Sequence, residues 1–216
     1  MILVGSHACK KSPFKSIDEG EIHYKISIQN RNAILPDEFM PTHMIVKFKD
    51  DKIMMDISSP VGNNGISNII YPGKNEIRTF FRVMGIKYYY LGTTDEVFPG
   101  IDPMPDMEIE NTGQVSTILK LECKKSVVTL PEKDFSYELW HTEDIDIDRP
   151  NIASPFEDIK GVLMNFFFLM GDMTVEFEAE AIYLQPVPDK VFEEKENYRR
   201  ISRKSMDELI ASMMSL

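Results

Sequence analysis

The run GVLMNFFFLMG at 161–171 constrains this chain more than any other stretch. It is too short to cross a bilayer, which takes ~20 apolar residues in a helix. Bounded by glycines and rich in phenylalanine, it reads as a strand buried on both faces. Across a turn at Gly171 and Asp172, Val175, Phe177, Ala179 and Ala181 alternate with Glu176, Glu178 and Glu180. Period two gives that second strand an apolar side and a row of three carboxylates, whose repulsion argues for solvent rather than a buried acid pair.

The same alternation recurs through the chain. Ile22, Tyr24, Ile26 and Ile28 define a first strand over 20–29, and Met44, Val46 and Phe48 a second. Asp50 and Asp51 turn the second into a strand over 52–58. After the PVGNNG loop, SNIIYP and NEIRTFFRV form a hairpin around Pro72 and Gly73, and Ile86 to Leu91 closes a meander. Tyr88, Tyr89 and Tyr90 must then face both sides of the sheet. A second hairpin is predicted from ILKLECKKSVVTL, the turn PEKDF and SYELWHTEDI, with the internal Cys123 and the only tryptophan, Trp140. Near the end the period changes. Ser205 with Glu208 makes a capping box, and Met206, Leu209, Ile210, Met213 and Met214 follow at helical spacing, so a short amphipathic helix docks on the sheet.

These elements predict a mainly β protein with minor α: a strongly curved antiparallel sheet or open half-barrel with one or two short helices, including the C-terminal one. Residues 20–216 read as a single domain, because nothing in 216 residues resembles an interdomain linker. Residues 1–19 read as a tail or signal remnant. The apolar start, MILV, falls short of an export-signal core, yet Ala8 before Cys9 and the polar stretch after it resemble a lipoprotein cleavage site. Lipidation at Cys9, with anchoring in the periplasm or at the outer membrane, and an ordinary tail are the two readings of this segment.

Motif chemistry is sparse. The acidic, proline-punctuated stretch 93–112 reads as a long solvated loop that lacks the glycine and terminal glutamate of a calcium hand. Asp144, Asp146 and Asp148 begin a D-x-D-x-D pattern, but Arg149 and Pro155 stand where calcium binding needs glycine and a bidentate glutamate. The four histidines are scattered without zinc spacing, and no phosphate loop or G-x-S-x-G elbow is present. A thiol site would have to join Cys123 to His141, which pairs near Lys124 across the hairpin; an inert buried cysteine is the usual alternative. No enzyme, metal or cofactor is expected. With 35 acidic against 24 basic residues and a charge of −11, long-range repulsion opposes nucleic-acid binding.

Around the central stretch the chain resembles a family: the uncharacterised, secreted lipoprotein-type proteins of Bacteroidetes known as GLPGLI proteins. The matching residues are Cys123, Lys124, Lys125, Tyr137, Leu139, Trp140, Thr142, Pro155, Phe156, Gly161 and Leu163, with GEIHYKI early and NYRRISRKSMDEL late. IKGVLM stands in place of the GLPGL signature. The resemblance implies the half-barrel of LolA-type lipoprotein carriers, whose concave side holds lipid, and no catalytic residues. Fourteen methionines add soft, adaptable apolar groups. The expected ligand-binding set is Met44, Phe48, Met54, Phe80, Trp140, Met164, Phe166 and Phe168, all at apolar strand positions. The expected role is to hold a lipid, acyl chain or hydrophobic envelope partner on the concave face. The alternative is a structural adaptor whose concave face is filled by its own side chains.

Overall fold

A computed structural model describes residues 18–29, 40–60 and 64–214. Among the described residues twelve strands form one open, curled sheet: β1 (Glu19–Gln29), β2 (His43–Lys49), β3 (Lys52–Ser58), β4 (Gly65–Tyr71), β5 (Glu76–Val83), β6 (Ile86–Gly92), β7 (Glu108–Ile118), β8 (Leu121–Leu130), β9 (Phe135–Thr142), β10 (Val162–Met170), β11 (Met173–Tyr183) and β12 (Arg199–Arg200). An α-helix, α1 (Arg203–Met214), follows. The spatial order is β12-β6-β5-β4-β3-β2-β1-β11-β10-β9-β8-β7. Every pairing is antiparallel except the short β12–β6 contact. β1 therefore lies in the interior of the sheet, flanked by one meander that follows it and by the return of another.

Register separates the two faces. Phe48 opposite Ile53, Val46 opposite Met55 and Met44 opposite Ile57 carry the apolar row of β2 onto β3, and Ile70, Asn68 and Ile66 continue it on β4. On the other side of β1, Ile26 meets Phe177, which meets Phe166. This inner face is closed by two loops. Residues 93–107 contribute Phe98 and Met104, and residues 143–161 contribute Ile145, Ile152, Phe156 and Ile159, all buried. A bond from Phe98 N–H to Ala153 O at 3.0 Å joins the loops, and Asp102 N–H to Leu169 O at 2.8 Å ties the first to β10.

The outer face carries its own apolar group, Met54, Ile69, Tyr71 and Phe80, covered by Val187 and Phe192 from the strap between β11 and β12. Helix α1 packs Met206 and Ile210 on Phe81 and Tyr90 at the inner face of β5 and β6. Arg203 fixes the helix to the 93–107 loop by bonding Glu96, Asp207 and the Val97 carbonyl, and Asp207 accepts from Gly100 N–H. Burial alone would raise the Glu96 pKa, but hydrogen bonds from Tyr90, the Thr93 N–H and Arg203 outweigh it and hold the carboxyl below its ordinary value. Tyr90, buried and donating to Glu96, is pushed up to about 12.

Three local expectations change. The 93–112 loop ends at 107, and Glu108–Ile118 is a strand, β7, joined to β8 by a turn at Leu119 and Lys120, both at positive φ. β7 is the outermost strand and nearly all its side chains are exposed, so it shows no apolar alternation. Its turn also lacks the Asn-Gly or Asp-Gly that marks most two-residue hairpins. The helix begins earlier than the Ser205 box implies: Ser202 accepts from Ser205 N–H at 3.2 Å through Oγ and from Met206 N–H at 3.0 Å through its carbonyl. The central hairpin strand begins at Leu121, with Leu119 and Lys120 in the turn before it. The apolar run 162–170 is, as expected, a strand buried on both faces.

Candidate functional site

An apolar cavity of about 110 Å³ lies under one rim of the curled sheet, where β1 and β3 end and β4 begins. Ile26, Met44, Met55 and Ile66 form one wall, and Phe168, Met173, Val175 and Phe177 the opposite one. Phe98 and Ile101 enter from the 93–107 loop and Met213 from α1. Six methionines line it: Met40, Met44, Met55, Met170, Met173 and Met213. Among the described residues no charged side chain lines the cavity. Met55, Ile57, Ile66 and Met170 sit on the inner face and yet stay half-buried, because they border this space rather than packed neighbours.

Methionine is suited to such a wall because its unbranched, polarisable chain adapts to different shapes. A larger hollow of about 590 Å³ on the outer face is open and lined by charges, including Asp50, Lys52, Lys74, Arg78 and Asp189. Ion pairs such as Lys52 to Asp189 at 3.7 Å lie at its surface, which marks it as a solvated groove.

The eight expected ligand-binding residues do not form one site. Met44 and Phe168 line the cavity. Phe166, again with Phe168, borders a separate void of about 30 Å³ beside Tyr24 and Ile147. Phe48 and Met164 are fully packed, and Trp140 is a half-buried neighbour of the same core. Met54 and Phe80 are on the outer face, under the strap. The reason is parity: Met54 is adjacent to Ile53 and Met55, so its side chain takes the opposite side of β3. Cys9 lies outside the described residues.

The thiol reading finds no support in the geometry. Lys124, not Cys123, is opposite His141. The Cys123 Sγ donates to Leu121 O at 3.6 Å, and burial pushes the thiol pKa up. His141 uses Nδ1 on the Lys160 carbonyl at 2.8 Å and Nε2 toward Ser126 Oγ at 3.4 Å. Asp144 receives Glu122 N–H at 2.8 Å, a structural use of the D-x-D-x-D stretch. Among the described residues no three His, Cys, Asp or Glu side chains gather as a metal site. No helix there is long and apolar enough to cross a membrane.

His141 nevertheless predicts a pH response. Burial lowers its pKa, against the opposing Lys160 carbonyl, so the folded chain holds the proton less well than the unfolded chain at 6.5. Its contribution is therefore complete above pH 6.5 and is lost as pH falls from there through the folded pKa. Urea midpoints are expected to fall between about pH 7 and pH 5, ahead of most carboxylate titration, and His141→Gln to flatten that slope. An unchanged slope in the variant would contradict this.

The curled antiparallel half-barrel, with two loops and a helix on its inner side, is the class that the fold and the cavity define. Among solved structures it is similar to PNGF-II in a C2 crystal form, at 18% identity and a TM-score of 0.56, over 89% of this chain and 32% of that one. The likeness concerns the fold, and the chain spans about a third of the length of PNGF-II. Weaker overlaps are with the LolA superfamily protein NE2245 from Nitrosomonas europaea (TM-score 0.37, 10% identity, 83% of this chain and 91% of that one) and LprF from Mycobacterium bovis (0.30, 10%, 82% and 91%). No family model and no curated protein matches the chain.

Proposed function

We propose that this chain is a non-catalytic binding module that receives an apolar group, such as an acyl chain or the side chain of a hydrophobic partner, in the methionine-lined rim cavity. The observation that carries the reading is an apolar gap of about 110 Å³ on the inner face with no charged side chain among the described residues that line it. A dry apolar cavity of ~150 Å³ is enough to take up benzene, so the space suits the end of a chain rather than a whole lipid. Titration with a fluorescent short-acyl probe is expected to saturate, and Ile57→Phe, which fills the cavity from β3, to abolish the signal. Non-saturable binding, or binding indifferent to Ile57→Phe, would remove the proposal.

The alternative, a structural adaptor, draws on a different observation. The 93–107 and 143–161 loops already fill most of the inner face, with Phe156 against Phe167 and Phe168 at centroid distances of 5.5 and 6.2 Å. A negative titration would leave that reading in place. The GLPGLI-type resemblance and an envelope location belong to the same proposal, with Cys9 as the lipid attachment point. Each buried methylene adds about 0.8 kcal/mol of membrane affinity, so Cys9→Ala in the full-length precursor is expected to shift the protein from the membrane fraction to the soluble one. An unchanged distribution would exclude the anchor.

A further inference from the structure

We infer that the occupant of the rim cavity carries a neutral carbonyl oxygen, received by the side-chain amide of Asn68 on the inner wall. This rests on the cavity being a ligand site and adds the class of ligand. Asn68 is a polar residue set among apolar ones. It sits on β4 between Met55 of β3 and Thr79 of β5, inward of Gly65, where the strand enters from the rim. It borders the cavity and is only 7% exposed.

Its two polar atoms differ in their situation. Oδ1 accepts from the hydroxyl of Thr79, itself fully buried, at 2.7 Å, which fixes the amide plane. Among the described residues nothing accepts from Nδ2. Nor is Nδ2 fully sealed inside protein, and Asn68 lines the cavity. An amide N–H turned toward an apolar space without an acceptor is unfavourable, and a ligand that supplies the acceptor recovers that loss on binding.

The surroundings narrow the acceptor. A carboxylate would have to shed its hydration with no cation among the described lining residues and a chain charge of −11. A hydroxyl would bring a hydrogen of its own, and among the other described lining residues Ser59 and Asn64, where β3 gives way to β4, are the ones with a side-chain acceptor, away from Ile26, Phe168 and Phe177. A ketone, ester or amide carbonyl brings only lone pairs. Such a ligand lies with its carbonyl inward and its alkyl chain running out past Met40 and Met173 at the rim.

The test uses the full chain with isotope-labelled methionine methyls, because the six methionines around the cavity report its occupancy directly. Methyl pentyl ketone is compared with the alkene in which a methylene replaces its carbonyl oxygen. Because the alkene leaves water more readily, each affinity is referred to that compound's own transfer from water to alkane; on that scale the ketone is expected to gain about fivefold or more, the worth of one ordinary hydrogen bond. In Asn68→Leu combined with Thr79→Val, which leaves neither partner unmatched, the gain is expected to vanish. Equal affinities on that scale in the unaltered chain overturn the inference and leave the cavity reading standing. Perturbation of the methionine methyls by neither compound overturns the cavity reading as well. The comparison within the unaltered chain decides the matter even if the double variant does not fold.

Discussion

Gly161→Ala is expected to destabilise the fold by about 3–5 kcal/mol, close to the limit for a single added methyl group. Gly161 sits at φ +87, where the 143–161 loop re-enters the sheet as β10. A Cβ there would lie 2.3 Å from Thr142 O and 2.7 Å from Thr142 C. Those atoms belong to backbone held in place by the pairing of Val162 with Thr142, so they cannot give way as a flexible side chain would. Left-handed strain alone is worth roughly 1–3 kcal/mol, and Gly171→Ala measures it separately. Gly171 is at φ +62, and a Cβ added there would meet nothing within 4 Å. Urea unfolding of both variants checks the difference. If Gly161→Ala costs no more than Gly171→Ala, the close approach of loop and strand is absent in solution.

Phe98→Ala is expected to cost about 3–5 kcal/mol, the usual range for a buried phenylalanine. Phe98 is 1% exposed and projects from the 93–107 loop onto the inner face, where it also walls the cavity. Its backbone N–H is held by Ala153 O, so the loop keeps its attachment while the ring is removed. The variant should therefore show two linked effects: lower stability, and room for a bulkier ligand that restores part of it by binding only the folded state. Urea midpoints with and without the acyl probe measure both. A loss below about 1 kcal/mol would mean that the loop does not pack as described.

Strands with one buried face were legible because their side chains obey a strict period. Tyr24, Val46 and Phe177 all fell on the expected side. Where that period is missing, the sequence was silent. β7 is exposed on both faces and has nothing to alternate. The 93–107 loop reads as acidic and solvated because Phe98 and Met104 stand among acidic residues and prolines without any apolar period; only the path of the chain reveals that they point inward. The strap that covers Met54 and Phe80 is likewise a tertiary fact, and without it an apolar residue on the outer face looks as suited to a ligand as one on the inner face.

The cavity was less legible still. Its methionines come from separate segments, and counting them gives no hint of which ones meet. Asn68 is one polar residue in SNIIY, and its importance lies in a second hydrogen-bonding atom that a sequence does not display. Cys123 and His141 attracted notice for their chemistry, yet backbone carbonyls occupy the thiol and one ring nitrogen.

The interior position of β1 also dictates how the chain can assemble. Each other pairing within the two meanders joins strands close in sequence, from β2 through β6 and from β7 through β11. The seam between them is β1 against β11, where Gln29 meets Thr174 and Glu21 meets Tyr183. Short hairpins close in microseconds, whereas a contact across most of the chain bears a large loop-closure entropy before it gains anything. The β1–β11 pairing therefore bears the largest closure cost of the antiparallel ladder, and while it is open both halves present an unpaired strand edge to any other chain nearby.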